Sequence, residues 1–183
     1  MGKLISSNGL KVDIILSDLV NLTISNESIA IKLSLFGGIN NVLYKSGDKT
    51  SQATFEKLKA LTISHLSSEE ETIRLAAAKT VSFVALYGSE ALISDMILDI
   101  FALSKLGPDE SIPASSGKLL GLAAVVASSG KKCDEFREEA FEFFLGAAKE
   151  NFLLLPLSKY NLFFLFVYLI IITYLLFVYL FVH

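Results

Sequence analysis

The sequence is poor in the residues that form disulfides and metal sites. Its 183 residues include one cysteine, Cys133, and two histidines, His65 and His183. A single cysteine cannot form a disulfide within the chain, which favours a reducing compartment. His65 has no neighbouring cluster of metal-binding side chains and is interpreted as a helix-end or surface residue. Cys133 is interpreted as an exposed thiol without a reactive role. We therefore expect no metal and no cofactor.

Catalytic and nucleic-acid-binding signatures are also missing. The sequence contains no glycine-rich phosphate loop, no nucleophile elbow and no pairing of histidine with an acid. We therefore predict that the chain is not an enzyme. The formal net charge of -3 lacks the basic excess of a nucleic-acid binder, so we predict no direct, sequence-specific contact with nucleic acid. The first ten residues carry one lysine and no long apolar run, which excludes a signal peptide and leaves a cytoplasmic location as the expectation.

Charge is almost missing from residues 152–183, where Lys159 is the only charged side chain. Residues 162–182 form a run of 21 without a formal charge. As a helix this run would span roughly 30 Å, the thickness of the hydrocarbon layer of a membrane. We predict a separate apolar C-terminal helix. Three hypotheses remain open: a tail anchor that inserts into a membrane, a buried last helix, or a C-terminus that is not true coding sequence.

Residues 1–151 have the pattern of an all-α domain. Apolar residues recur at the helical period in seven segments that are separated by turn signals, and no segment alternates as a strand does. The predicted helices span about 11–23, 26–45, 51–66, 69–87, 90–105, 115–129 and 134–150. The first helix is expected to turn one apolar face towards the core, formed by Val12, Ile15, Leu16, Leu19 and Leu22.

Several residues predict how these helices begin, end or bend. Asn26 is placed to cap the second helix, and Ser68 with Glu71 has the spacing of a capping box for the fourth. Gly88 is a suitable residue to follow the last turn of the fourth helix. Glycines 37 and 38 inside the second helix predict a kink or close helix packing. The acidic residues 69–71 are interpreted as a capped, solvated turn, with a metal or basic-partner site as the alternative.

Glycines mark an internal repeat. Gly47, Gly88 and Gly130 follow one another at intervals of 41 and 42 residues, and each interval holds two predicted helices. A period near 40 residues with two helices is typical of HEAT and armadillo arrays. We therefore predict an α-solenoid of antiparallel helix pairs, with units at about 11–47, 48–88, 89–130 and a partial unit at 131–151. Because a lone pair cannot bury its apolar stripe, we expect these units to stack.

Basic residues recur in the second helix of each predicted pair. Lys32, Arg74 and Lys118 lie 42 and 44 residues apart. Around Arg74, the segment ETIRLAAAKTV at residues 71–81 resembles the second helix of HEAT repeats, where small residues let neighbouring helices approach closely. The three basic residues are interpreted as an inter-repeat ladder, in which Arg74 bonds the acidic turn of an adjacent repeat. The alternative is a row that binds a partner.

The order of three segments resembles one HEAT family in particular. The segments are residues 13–33 (DIILSDLVNLTISNESIAIKL), 53–85 (ATFEKLKALTISHLSSEEETIRLAAAKTVSFVA) and 115–130 (SSGKLLGLAAVVASSG). They look similar to the translational activator of the general amino-acid control pathway, the Gcn-one family, over about residues 12–152. The family stimulates the kinase of initiation factor 2 alpha, so the resemblance implies binding to ribosomes and to the RWD domain of that kinase. It assigns no site residue here.

Two departures from the family affect the expected function. The family's scaffold is many times longer, and it has no membrane-like C-terminus. Because the first helix presents an apolar face within a dozen residues of Met1 and neither end has the polar face of a capping repeat, we expect this chain to be an excerpt of a longer solenoid. We expect it to act as a protein-interaction scaffold. The alternative is a membrane adaptor anchored by residues 162–182, with its HEAT-like part in the cytosol.

Overall fold

Seven α-helices form the part of the chain that the structure, a computed structural model, describes: residues 2–103 and 112–153. No strand occurs in these two ranges, so the all-α prediction is confirmed for them. The predicted C-terminal helix and the run at 162–182 lie outside them. Two 3-10 turns occur at Gly47–Lys49 and Gly130–Phe136. The helices are α1 (Gly2–Ser25), α2 (Ile29–Ser46), α3 (Gln52–Leu66), α4 (Glu71–Tyr87), α5 (Glu90–Leu103), α6 (Ile112–Ser129) and α7 (Arg137–Leu153).

The first six helices belong to one compact unit, Met1–Arg137. Within it, α1 packs on α2, α3 on α4, and α5 on α6. Each odd-numbered helix also contacts the next odd-numbered one, and each even-numbered helix contacts the next even-numbered one. The unit therefore has two layers, with α1, α3 and α5 in one and α2, α4 and α6 in the other. The most extensive helix contact is between α4 and α6.

The remaining helix, α7, lies almost entirely in a second compact unit, Glu138–His183. Its side chains Ala140 and Phe144 are buried, and the rings of Phe143 and Phe144 meet edge to face with their centroids 6.2 Å apart. Across the described residues, no helix combines the length and apolar character that crossing a membrane requires.

An apolar core runs between the two layers of the first unit. Burial of such side chains is the main favourable contribution to folding, at about 25 cal/mol per Å² of apolar surface. The expected core face of α1 is only partly correct, because Leu16 is fully buried whereas Ile15 and Leu22 are each 49 % exposed. The largest fully buried side chains are Leu16, Phe36, Ile39, Leu43, Leu58, Leu61, Leu66, Ile73, Ile93, Met96, Ile97 and Ile100.

Hydrogen bonds between the pairs join residues that are about one repeat apart in the sequence. The backbone amide of Ser51 donates to Asp13 at 2.9 Å, across 38 residues. The hydroxyl of Thr80 donates to the side-chain oxygen of Asn40 at 2.9 Å, across 40 residues. Further bonds of this kind run from Lys57 to Ser17, 40 residues apart, and from Ser94 to Glu135, 41 residues apart.

Two predicted helix caps are wrong. The residue that precedes α2 is Ser28, and Asn26 instead donates to the carbonyl of Leu22 in the last turn of α1 at 3.4 Å. Before α4, the cap position is held by Glu70, and Ser68 accepts only from the amide of Glu70 at 3.3 Å. The capping box does not form because α4 begins at Glu71, two residues later than a cap at Ser68 requires.

The three regularly spaced glycines have different backbone conformations. Gly130 has a φ of 58°, the left-handed region that favours glycine, whereas Gly47 and Gly88 have φ values of −60° and −66°. Gly88 is needed for space: a Cβ there would lie 2.5 Å from the carbonyl oxygen of Val84. At Gly47 a Cβ would collide with the ring of Tyr87. The nearly regular spacing of these three glycines therefore results from three different local requirements.

A close approach between helices occurs at Gly117 of α6. A Cβ at this position would lie 1.7 Å from the backbone oxygen of Leu66, at the end of α3, and 2.9 Å from the Cδ of Arg74. The adjacent glycine pair of α2 behaves differently. A Cβ at Gly37 would meet no atom within 4 Å, and one at Gly38 would make ordinary contact with Leu19. The α2 helix continues from Ile29 to Ser46 across both glycines.

We expect Gly117→Ala to lower the free energy of unfolding by about 1–3 kcal/mol, the usual cost of overpacking. Gly37→Ala is the matched control and should raise it by up to about 1 kcal/mol, because alanine favours the helix and the space is open. Denaturant unfolding followed by circular dichroism measures both. Equal effects of the two substitutions would contradict the close approach at Gly117.

Candidate functional site

Arg74 lies inside the fold and not on a binding surface. Its side chain is 8 % exposed, and Nη1 donates to the carbonyl oxygens of Ser68 at 2.8 Å and Glu69 at 2.9 Å. These carbonyls belong to the turn that joins α3 to α4, so Arg74 bonds its own helix pair. The predicted bond to the turn of an adjacent repeat is therefore wrong. A guanidinium group that binds two carbonyls holds this turn in one geometry.

The other two basic residues of the predicted row have different surroundings. Lys118 of α6 is also buried, and burial lowers the pKa of its ammonium group. It directly follows Gly117, the residue that approaches Leu66 and Arg74. Lys32 of α2 is half-buried. The three basic residues thus do not form one exposed row of charge.

His65 lies near the end of α3, and its ring is half-buried against α2. Its Nδ1 is 2.8 Å from the carbonyl oxygen of Leu61, and the ring meets Phe36 edge to face with the centroids 5.4 Å apart. Burial lowers the pKa of His65, and the charge of Lys32 lowers it further, while the bond to Leu61 partly opposes both effects. The neutral form is thereby favoured in the folded protein.

Two further predicted residues or clusters show no ligand-binding geometry. Cys133 is fully buried, so the interpretation as an exposed thiol is wrong. Its sulfur lies 3.5 Å from the carbonyl oxygen of Gly130, within the turn where that glycine adopts its left-handed conformation. The acidic residues 69–71 are exposed. In residues 2–103 and 112–153, no group of three or more potential metal ligands comes together.

An open groove lies between α2 and α4 and has a volume of about 600 Å³. Because these two helices belong to successive pairs, the groove is a product of the stacking and not of one helix pair alone. Its lining residues are Leu33, Gly37, Asn40, Asn41, Tyr44, Ala76, Lys79 and Phe83.

A buried polar pair lies beside this groove, and one of its members, Asn40, lines it. Asn40 and Thr80 are 7 % and 0 % exposed, and they bond to each other across the two helices. Thr80 also approaches the carbonyl of Ala76 at 3.1 Å, and the amide of Asn40 approaches the same carbonyl at 3.5 Å. Buried polar groups of this kind are costly unless they are paired, so they determine how α2 and α4 sit against each other.

The walls of the groove combine apolar surface with a few polar groups. Leu33 and Phe83 are partly exposed. Tyr44 is 72 % exposed, and Asn41 and Lys79 are exposed as well. Lys79 is the only charged side chain among the lining residues. Gly37 leaves the groove open, because it has no side chain and no neighbour fills its place.

Sequence reasoning did not identify this groove. It singled out Gly37, but for a kink or close helix packing, and it did not connect Asn40 with Thr80, although their separation of 40 residues is close to the predicted repeat interval. A search for polar pairs at the repeat interval would have found them. It also missed Lys132, whose ammonium group donates to the carbonyls of Leu86 at 3.0 Å and Gly88 at 2.9 Å and so binds the C-terminal end of α4.

No family model, curated protein or solved structure matches the chain. What the groove can do must therefore follow from its chemistry. Its side chains offer apolar contacts, amide and hydroxyl hydrogen bonds and one positive charge. Such a lining suits a polypeptide segment, since a peptide brings both apolar side chains and backbone groups that need hydrogen bonds.

His65 predicts a pH-dependent stability. Because its folded-state pKa lies below the ordinary value of 6.5, the unfolded chain binds the proton more readily. The stabilisation is complete above pH 6.5 and is lost as the pH falls through 6.5 towards the folded-state pKa. We expect the unfolding midpoint in denaturant to fall between about pH 7.5 and 5.5. In His65→Gln this fall should be smaller, since glutamine does not titrate. Identical pH profiles for the two proteins would refute the assignment.

Proposed function

We propose that the first six helices are a protein-interaction scaffold of the HEAT/armadillo α-solenoid type. The support is the contact pattern, in which each helix packs on its pair partner and on the equivalent helix of the next pair. Bonds between residues 38, 40 and 41 apart fit the same repeat. Repeat arrays of this kind present long surfaces to binding partners, because each unit contacts only its neighbours.

The observation that carries this proposal is the open groove between α2 and α4. We infer that it binds a peptide segment with an apolar side chain next to an acidic one. The apolar side chain would contact Leu33 and Phe83, and the acid would pair with Lys79, the only charge of the lining. Asn41 and Tyr44 are exposed at the same groove and are suited to hydrogen bonds with a peptide backbone.

Filling the groove should abolish peptide binding without disturbing the fold. The space next to Gly37 is open, so Gly37→Leu places a side chain where the peptide would lie. Selection from a random peptide library displayed on phage should enrich segments that combine Asp or Glu with Leu, Phe or Tyr. Lys79→Glu should shift the selected peptides from acidic to basic residues, because the charge of the groove is reversed.

Ala60→Leu is the matched control, since it adds the same side chain to an exposed position of α3 in the other layer. It should leave the selection unchanged. Circular dichroism checks that all three variants remain folded. The groove would be excluded as the binding site if Gly37→Leu selected the same peptides as the unmodified chain.

The resemblance to the Gcn-one family suggests particular partners for this scaffold. On that basis we propose that the chain contacts ribosomes and the RWD domain of the kinase of initiation factor 2 alpha. Sedimentation with purified ribosomes and pull-down with the isolated RWD domain test the two contacts separately. We expect enrichment above an unrelated HEAT protein, and equal recovery of the two proteins would reject this choice of partners.

A membrane adaptor is the second candidate function, and one observation favours it. The uncharged run at 162–182 has the length of a membrane span, although it lies outside the described residues. If this run anchors the protein, alkaline carbonate should leave the expressed chain in the membrane pellet. Deletion of 162–182 should then move the protein to the supernatant. Release of the full chain by carbonate would reject the anchor.

A further inference from the structure

One face of α1 exposes large apolar side chains between two opposite charges. Ile14, Ile15 and Leu22 are 53 %, 49 % and 49 % exposed. Lys11 and Asp18 are exposed too, and neither forms an ion pair within the part of the chain that the structure describes. Residues spaced by three, four and seven positions lie on the same side of a helix. The five residues therefore form one stripe, which we call the α1 stripe.

The α1 stripe points away from the next helix of its layer. Asp13 and Ser17 bond to the start of α3, and they lie on the side of α1 opposite to Ile15. No helix of the described chain covers the stripe, and its apolar members remain about half exposed.

In α3 and α5, the residue that corresponds to Ile15 of α1 contacts the preceding helix of the same layer. Lys57 of α3 reaches back to Ser17 of α1, and Asp99 of α5 reaches back to Lys59 of α3 at 2.9 Å. Lys57 lies 42 residues after Ile15, and Asp99 lies 42 residues after Lys57. Asp95, which also pairs with Lys59, is likewise two such intervals after Lys11. The equivalent residues Lys57 and Asp95 are nevertheless exposed, so the α1 stripe lies on the outer face of its helix, beside the stacking side.

The order of four residues in the α1 stripe, Lys11, Ile14, Ile15 and Asp18, makes this part of it complementary to itself. Suppose that two α1 helices pack antiparallel and that the two-fold axis passes between Ile14 and Ile15. The numbers of any two residues that face each other then add up to 29. Lys11 of one copy then faces Asp18 of the other, and this happens twice. Ile14 of each copy packs on Ile15 of the other. Such a two-fold arrangement uses the same patch on both molecules and closes on itself.

We propose that the α1 stripe binds the α1 stripe of a second copy of this chain in an antiparallel dimer. The opposite charges at the two ends of the α1 stripe, Lys11 and Asp18, favour a second copy of the chain as its partner. A partner helix whose charges had one sign would attract one end of the stripe and be repelled by the other. A second copy satisfies both ends and covers the exposed isoleucines at the same time. The inference is independent of the peptide groove, which lies on α2 and α4.

Charge reversal tests the pairing of Lys11 with Asp18 directly. The full chain is studied by sedimentation equilibrium in a nonionic detergent, since residues 152–183 are strongly apolar. We expect a dimer whose dissociation constant rises about tenfold in Lys11→Asp and in Asp18→Lys, because each change places like charges together at both ends. The double variant K11D/D18K restores opposite charges at both ends, so its dissociation constant should return to that of the unmodified chain.

Two apolar variants provide the control. Ile15→Lys should weaken the dimer at least as much as a charge reversal. Leu98→Lys changes a residue of similar exposure on α5 and should have no effect. Association through the C-terminal residues would be equally strong in every variant. It therefore cannot produce weakening in the single variants together with recovery in the double variant. A monomeric unmodified chain, single reversals without effect, or a double variant that fails to recover would each overturn the proposal.

Discussion

The first compact unit depends on the close packing of α6 over the turn between α3 and α4. Gly117 makes this possible, because any side chain there would collide with the backbone oxygen of Leu66. The turn itself is held by Arg74, which binds two of its carbonyls from the beginning of α4. One missing side chain and one buried guanidinium group thus determine how the third helix pair sits on the second. At the other end of α4, Lys132 likewise binds two backbone carbonyls, those of Leu86 and Gly88.

Stacking of the pairs also creates the surface to which we assign a function. The groove exists because α2 and α4 come from successive pairs and are held together by Asn40 and Thr80. In an isolated pair these two polar side chains would face water, and no groove would form. Binding capacity in such an architecture is therefore a property of neighbouring units together, as expected when each unit contacts only the next.

Within the described residues, helix periodicity predicted the number of helices and nearly all of their ends. It could do so because the spacing of apolar residues in an amphipathic segment indicates a helix and its buried face. Its failures are local. The α1 helix begins at Gly2 and not near residue 11, and α7 begins at Arg137 because a 3-10 turn occupies Gly130–Phe136. The predicted caps at Asn26 and Ser68 failed because α2 begins at Ile29 and α4 at Glu71, each two residues later than the predicted cap requires. For α1, periodicity could not separate Leu16, which is buried, from Ile15, which faces outwards, because both lie on apolar positions.

The sequence by itself determined that the chain is helical over most of residues 11–103 and 115–150, with turns that recur about every 40 residues. These features depend on neighbours within a few turns and on the spacing of residue types. Only the tertiary structure decided which side chains meet. It buried Arg74 and Lys118, left Lys32 beside His65, and opened the groove at Gly37. Such outcomes depend on distances between residues that are far apart in the sequence. A local sequence pattern does not determine those distances.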